Sequence, residues 1–169
     1  MKNLLIQSLV IIAIMTGCSV MAGTLDDAPF KLSSPGESWN LSDSKAQDLG
    51  RGVSLVAMLT KTNSTMKSVV VKAVSDGSFV MSLDQLVAGM HDSLADPRIK
   101  NVTDTDTTFL GYKSRRFTYE MTQNDQTMYN EVVVFAIGNT GWTIANMGPI
   151  SQKAEIKKIF DSYQKRDSK

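Results

Sequence analysis

The apolar and polar positions of this chain change period several times, and each change marks an element. Val53 to Thr60 is apolar with little alternation, as expected of a strand covered on both faces. Ser68 to Val74 is a second strand, rich in β-branched residues and ended by Asp76-Gly77. Lys61-Thr62-Asn63-Ser64-Thr65 between them has hairpin-loop composition. The period then becomes helical: Leu83, Leu86, Val87, Met90 and Leu94 form one stripe of an amphipathic helix. Ser82 precedes it as a candidate N-cap with Gln85 three residues on, a capping box, and Asp96-Pro97 stops it.

Strand patterns then resume. Ile99 to Asp104 reads as extended, followed by Thr107 to Lys113, and Arg116 to Thr122 alternates with Phe117, Tyr119 and Met121 on one face. Gln123-Asn124-Asp125-Gln126 is a turn before Met128 to Ile137, a strongly β-prone run. Gly138-Asn139-Thr140-Gly141 makes a tight hairpin connection to Trp142 to Met147, and Pro149 ends that strand. A final helix runs from Ser151 to about Gln164, with Ile156, Ile159, Phe160 and Tyr163 on one stripe. Upstream, Phe30-Lys31-Leu32 and Trp39-Asn40-Leu41 are short extended pieces either side of the turn Ser34-Pro35-Gly36, while Asp43 to Gly50 reads as a polar loop. The whole predicts an α+β domain with a central, mainly antiparallel sheet and helices packed on its faces.

The amino-terminal pattern differs in kind. Lys2 is followed by an apolar run from Leu4 to Met15, interrupted by Gln7 and Ser8, and then by small residues. That is the layout of a bacterial export signal, and the run falls short of the roughly 20 apolar residues of a membrane-spanning helix. The single cysteine, Cys18, stands immediately after Thr16-Gly17. Ile14-Met15-Thr16-Gly17-Cys18 resembles the lipobox of bacterial lipoproteins, with Met15 where Leu is usual. Two other readings compete: ordinary secretion with cleavage after Val20-Met21-Ala22, and an uncleaved anchor.

The lipobox resemblance implies that Cys18 becomes the acylated first residue of the mature protein, carrying three chains. Two or more chains anchor a soluble domain stably, whereas one binds only marginally. Ser19 follows Cys18, rather than the aspartate associated with inner-membrane retention in enteric bacteria, so the resemblance favours the outer membrane, facing the periplasm. Residues 1–17 then form the signal, 18–28 a lipidated tether and 29–165 a single domain. The tether's ten residues 19–28 reach at most about 35 Å.

Composition narrows the function classes. The chain has 18 Lys and Arg against 17 Asp and Glu. Loss of Lys2 with the signal leaves 17 of each and a formal charge of zero, without the basic stripe of a nucleic-acid binder. The cluster Lys153-Lys157-Lys158 and Lys165-Arg166 reads as the solvated face of a terminal helix. With Cys18 lipidated no cysteine remains for a disulfide, so stability must come from burial, which roughly 140 residues can supply.

Catalytic patterns are missing from the sequence: there is no Gly-x-Ser-x-Gly elbow, phosphate loop or dinucleotide fingerprint. The only histidine, His91, borders the apolar stripe of its helix. As a general base it would need a nucleophile or an orienting carboxylate, and Asp92 faces elsewhere; a ring packed at the core boundary is the favoured reading. One histidine and one lipidated cysteine cannot make the usual zinc ligand sets. Asp104 and Asp106 lack the spacing of a calcium loop and read as a polar turn. Arg115-Arg116 should send one arginine to each side of the sheet, either as snorkelling side chains or as an anion or partner site. Trp39 and Trp142 read as core residues before partner anchors, and Met58, Met66, Met81, Met90, Met121, Met128 and Met147 as core filler rather than a copper site.

The order of elements resembles the Mog1/PsbP-like fold, an α/β/α sandwich. The segments that carry it are Asp96-Pro97-Arg98-Ile99-Lys100-Asn101-Val102-Thr103, Leu110-Gly111-Tyr112-Lys113, the polar turn before Met128-Tyr129, the Gly138-Asn139 hairpin and the final helix. Within that group the chain is most similar to the DcrB-type envelope lipoproteins of enteric bacteria. The resemblance implies a lipid-anchored, periplasm-facing module of the cell envelope. It would act without catalysis or cofactor, presenting a sheet edge or a helix-flanked cleft to an envelope protein. The alternative is a small-molecule binder with an apolar pocket between sheet and helix. Fold alone does not decide between them.

Overall fold

A computed structural model describes residues 25, 28–42, 47–50, 52–74, 81–123 and 125–166. Ten strands and two helices are present among them: β1 (Phe30–Leu32), β2 (Trp39–Ser42), β3 (Gln47–Gly50), β4 (Val53–Lys61), β5 (Lys67–Val74), α1 (Leu83–Leu94), β6 (Ile99–Phe109), β7 (Tyr112–Gln123), β8 (Gln126–Ile137), β9 (Thr140–Pro149), α2 (Lys153–Lys158) and β10 (Tyr163–Lys165). Eight strands form one antiparallel sheet in the order β2-β4-β5-β9-β8-β7-β6, with β3 beside β2 along the same edge of β4. β1 and β10 pair separately, Phe30 opposite Lys165.

Strand alternation divides the core in two. On β8, Tyr129, Val133 and Phe135 belong to one cluster with Ile156, Ile159, Phe160 and Tyr163 of the carboxyl-terminal segment. Val132 and Val134, pointing the other way, belong to a second cluster with Leu86, Met90 and Leu94 of α1. Tyr129 to Phe135 is therefore buried without a break, as a strand covered on both sides must be. The helical stripe and the capping box of α1 form as read: Gln85 N donates to Ser82 Oγ at 3.2 Å and Ser82 N donates to Gln85 Oε1 at 3.1 Å.

Three expectations need correction. Gln47–Gly50, expected within a polar loop, is a strand on β4. Asp104 and Asp106 sit inside β6, an unbroken 11-residue strand, and not in a turn. The reversal instead falls at Leu110-Gly111, between the paired Phe109 and Tyr112. Both residues have positive φ, 53° and 87°, as a two-residue type I′ turn demands. The final helix is also shorter than expected. Only Lys153–Lys158 is α-helical, inside 3-10 turns at Ile150–Gln152 and Ile159–Ser162. The chain then extends into β10, although Tyr163 is buried as its stripe predicts.

The expected turn at Asp76-Gly77 lies outside the described residues, as do residues 1–24 with the signal and Cys18. Of the segment expected to be a tether, Leu25 and Ala28 are described; both are buried in the cluster containing Phe30, and Arg166 Nη2 donates to Leu25 O at 2.9 Å. Among the described residues no helix is long and apolar enough to cross a membrane.

Candidate functional site

Two polar constellations lie on opposite faces of the sheet, and β7 supplies an arginine to each. On the α1 face, the register puts Asp104 opposite Phe117 and Asp106 opposite Arg115. The Arg115 guanidinium spans both acids: Nε and Nη2 donate to Asp104, the latter at 2.9 Å, and Nη1 donates to Asp106 Oδ1 at 2.7 Å. His91, in the last turn of α1, sets its ring edge-on to Phe117 with centroids 5.6 Å apart and Nε2 3.1 Å from Asp104 Oδ2. Hydrogen bonding to Arg115 comes first among the causes that hold the Asp104 carboxyl below the usual range, with the charges of Arg115 and His91 adding to it.

The packed-ring reading of His91 holds, and an orienting carboxylate is nevertheless present. It comes from β6, not from the neighbouring Asp92. Asp104 gives its lone pairs to the Arg115 guanidinium and to the His91 ring, so the arrangement ties the end of α1 to the edge strand. The His91 side chain remains 53% exposed.

On the opposite face, under the carboxyl-terminal segment, β5, β9, β8 and β7 contribute a transverse row. Ser68 pairs with Asn146, Asn146 with Glu131, and Glu131 with Thr118, so the four side chains stand on one face. Ser68 Oγ and the Tyr163 hydroxyl are 2.7 Å apart. Glu131, with 3% of its side chain exposed, accepts from Arg116 Nη1 at 3.0 Å and from the Tyr129 hydroxyl at 3.3 Å. The Arg116 guanidinium lies 5.3 Å from the Phe160 ring centre, and Lys153 Nζ lies 4.6 Å from that of Tyr129. Burial first, and the Glu131 charge second, push the Tyr129 hydroxyl up to about 12.

The sequence reading does not single out Glu131 or Asn146. Their signal is a polar residue inside an otherwise apolar run: Asn130-Glu131 before Val132, and Asn146 between Ala145 and Met147. Arg115 and Arg116 do face opposite sides as expected. Trp39 and Trp142 are buried, as are Met66, Met81, Met90, Met121 and Met147. Of the terminal basic cluster, Lys157 and Lys158 are exposed, while Lys165 reaches over Tyr112 and Arg166 binds backbone.

A cleft of about 410 Å³ opens between the β1–β2 loop and α2, lined by Ser33, Ser34, Trp39, Glu155, Lys158 and Ile159 among others. It is a surface feature and not the apolar pocket between sheet and helix of the alternative reading. Among the described residues no three His, Cys, Asp or Glu side chains are grouped to hold a metal ion.

No family model and no curated protein matches the chain in sequence. Solved structures do match in fold. LpqN of Mycobacterium tuberculosis, described as involved in cell envelope biogenesis, superposes with a TM-score of 0.53 at 12% identity, over 79% of this chain and 78% of that one. The cyanobacterial PsbP protein of Synechocystis gives 0.54 at 9% identity, over 89% and 96%. A Bacteroides thetaiotaomicron protein gives 0.51 at 12% identity; the match covers 83% of this chain but only 46% of that longer one. At such identities likeness speaks for architecture alone. The chain has a Mog1/PsbP-like fold, as its order of elements implies.

Proposed function

We propose that this chain is a lipid-anchored protein of the bacterial cell envelope, held at the membrane through Cys18 and facing the periplasm. There it serves as a non-catalytic binding or accessory module. One observation carries the reading: the only cysteine stands at the end of an apolar run, in the position that suits lipidation. The fold supports it, being shared with LpqN, a protein involved in cell envelope biogenesis. Ser19 favours the outer membrane over the inner, and similarity to the DcrB-type lipoproteins points to the same compartment.

The charged constellation supports an accessory role. Asp104 is held by Arg115 and His91, which makes it a structural clamp more than a poised acid or base. The surface offered to a partner protein is β6, the edge strand opposite β2 and β3. Its side chains from Lys100 to Thr108 are exposed or half-buried, and an edge strand presents backbone groups that an extended segment can pair with. A photo-crosslinking residue at Val102 should capture a discrete envelope protein in cells, and one at Lys157 should not. Equal yields from the two positions, or none from Val102, would count against β6 as the docking edge.

The polar surface cleft beside Trp39, rather than an apolar pocket between sheet and helix, supports a second reading, a periplasmic small-molecule binder. Thermal-shift screening separates the two, because a ligand bound only by the folded state raises Tm. A clear shift that is lost in Lys158→Glu, with no crosslinked partner, would replace the first reading by the second.

A further inference from the structure

Asn146 is the least explained residue of the transverse row. It is 0% exposed, and neither its amide nitrogen nor its amide oxygen has a hydrogen-bond partner in the protein. Yet it stands between two polar neighbours in register, Ser68 on β5 and Glu131 on β8. Directly opposed residues of an antiparallel pair have Cβ atoms only about 5 Å apart. Both neighbours already have other partners, Tyr163 for Ser68 and Arg116 and Tyr129 for Glu131. A hydroxyl and a carboxylate each keep lone pairs beyond those bonds.

The surroundings are closed. Along β9, Ile144 on the same face is fully buried. On the other side a Cβ at Gly148 would lie 2.6 Å from Met66 Cγ and 3.1 Å from Ile156 Cδ1, so the side chains there already fill the space. A buried amide with all of its hydrogen-bonding capacity unused is strongly disfavoured, and buried polar groups gathered in this way are where proteins hold internal water.

We propose that Asn146, Glu131 and Ser68 form an internal hydration site, in which one or two water molecules bridge the Asn146 amide to the Glu131 carboxylate and the Ser68 hydroxyl beneath the carboxyl-terminal segment. The amide supplies both a donor and an acceptor, so a water can accept from Nδ2 and donate to Glu131, while a second donates to Oδ1. Such a bridge satisfies an amide that makes no direct hydrogen bond to either neighbour. It also links β5, β9 and β8 through side chains where their neighbours are otherwise apolar. The ligand is water, not an ion: Arg116 already neutralises the buried carboxylate.

Asn146→Leu, close in volume, separates the possibilities by sign. If water is bridged, the substitution strips it of its amide partners, and Tm falls by on the order of 5 °C. If the amide is an orphan, removing it relieves the penalty and Tm rises. Two measurements on the unaltered protein remain decisive should the variant not fold. A high-resolution crystal structure should place ordered water within hydrogen-bonding distance of Asn146 Nδ2 or Oδ1, and oxygen-17 relaxation dispersion should detect long-lived internal water. An amide without adjoining water density, or a rise in Tm for Asn146→Leu, overturns the proposal.

Discussion

Arg115 and Arg116 are neighbours on one strand and meet opposite circumstances. Arg115 forks across Asp104 and Asp106 on the α1 face, and Asp106 is 76% exposed. Arg116 crosses to the other face, where its partner Glu131 is 3% exposed. The side chains of the two arginines are exposed to similar extents, 28% and 35%, so the difference lies in what each one neutralises. Exposed ion pairs contribute little, because water and salt replace the lost partner. A buried carboxylate has no such substitute, and deleting its cation leaves the charge stranded. Adjacent positions of a strand can thus hold ion pairs of very different consequence.

The sharpest way to break this contrast is to delete each arginine in turn. Arg116→Ala should destabilise the fold by about 3 kcal/mol, visible as a Tm drop of roughly 10 °C, by leaving Glu131 uncompensated. Arg115→Ala should cost a fraction of that, since His91 remains beside Asp104 and water reaches Asp106. Equal losses in paired thermal melts would remove the distinction between the two faces.

Glycines offer a second probe of the same two faces. Gly148→Ala drives a Cβ towards Met66 and Ile156 under α2, for about 2 kcal/mol of overpacking. Gly141→Ala, on the α1 face, meets the Leu86 methyl groups and Met81 Cγ at 2.9 to 3.1 Å, and about 1 kcal/mol is expected. Urea titrations of the two variants would rank them, and a reversed order would mean that the α2 side yields more readily than its packing implies.

A smaller effect comes from pH. The Tyr129 hydroxyl on the α2 face and that of Tyr119 on the α1 face are both pushed up to about 12 by burial, against an ordinary 10, and burial raises Tyr163 further. An acid raised in the folded state adds stability below its unfolded value and loses it as pH climbs through the folded one. Stability should therefore fall between about pH 10 and 12. Asp104 works in the other direction. Its carboxyl is depressed, so its contribution is present above the ordinary carboxylate range and fades as acid protonates it. Tyr163→Phe should flatten the alkaline loss and Asp104→Asn the acid one, both read from Tm against pH. His91→Ala should be the mildest change of all, because its ring is half in water.

Much of this architecture is legible in the sequence because it is locally encoded. The α1 stripe, its Ser82–Gln85 capping box and the stop at Asp96-Pro97 all fall within 16 residues of chain, and all form. What is missed depends on distant partners or unusual turn residues. Leu110 takes a left-handed conformation that glycine or asparagine normally supplies, so nothing in its identity marks the β6–β7 reversal. β10 exists only because Phe30–Leu32 lies beside it in space. The Asp104–His91 contact joins a strand to a helix, and helical spacing alone points His91 away from Asp92 without revealing the acid across the gap. Glu131 and Asn146 are visible as interruptions in apolar runs, but their common row requires the register of four strands.

Mass spectrometry of the protein recovered from the membrane fraction decides whether Cys18 anchors this domain at a membrane. The predicted result is a mature chain beginning at Cys18 and carrying acyl mass on that residue. A mature chain beginning at Gly23 without acylation would contradict it.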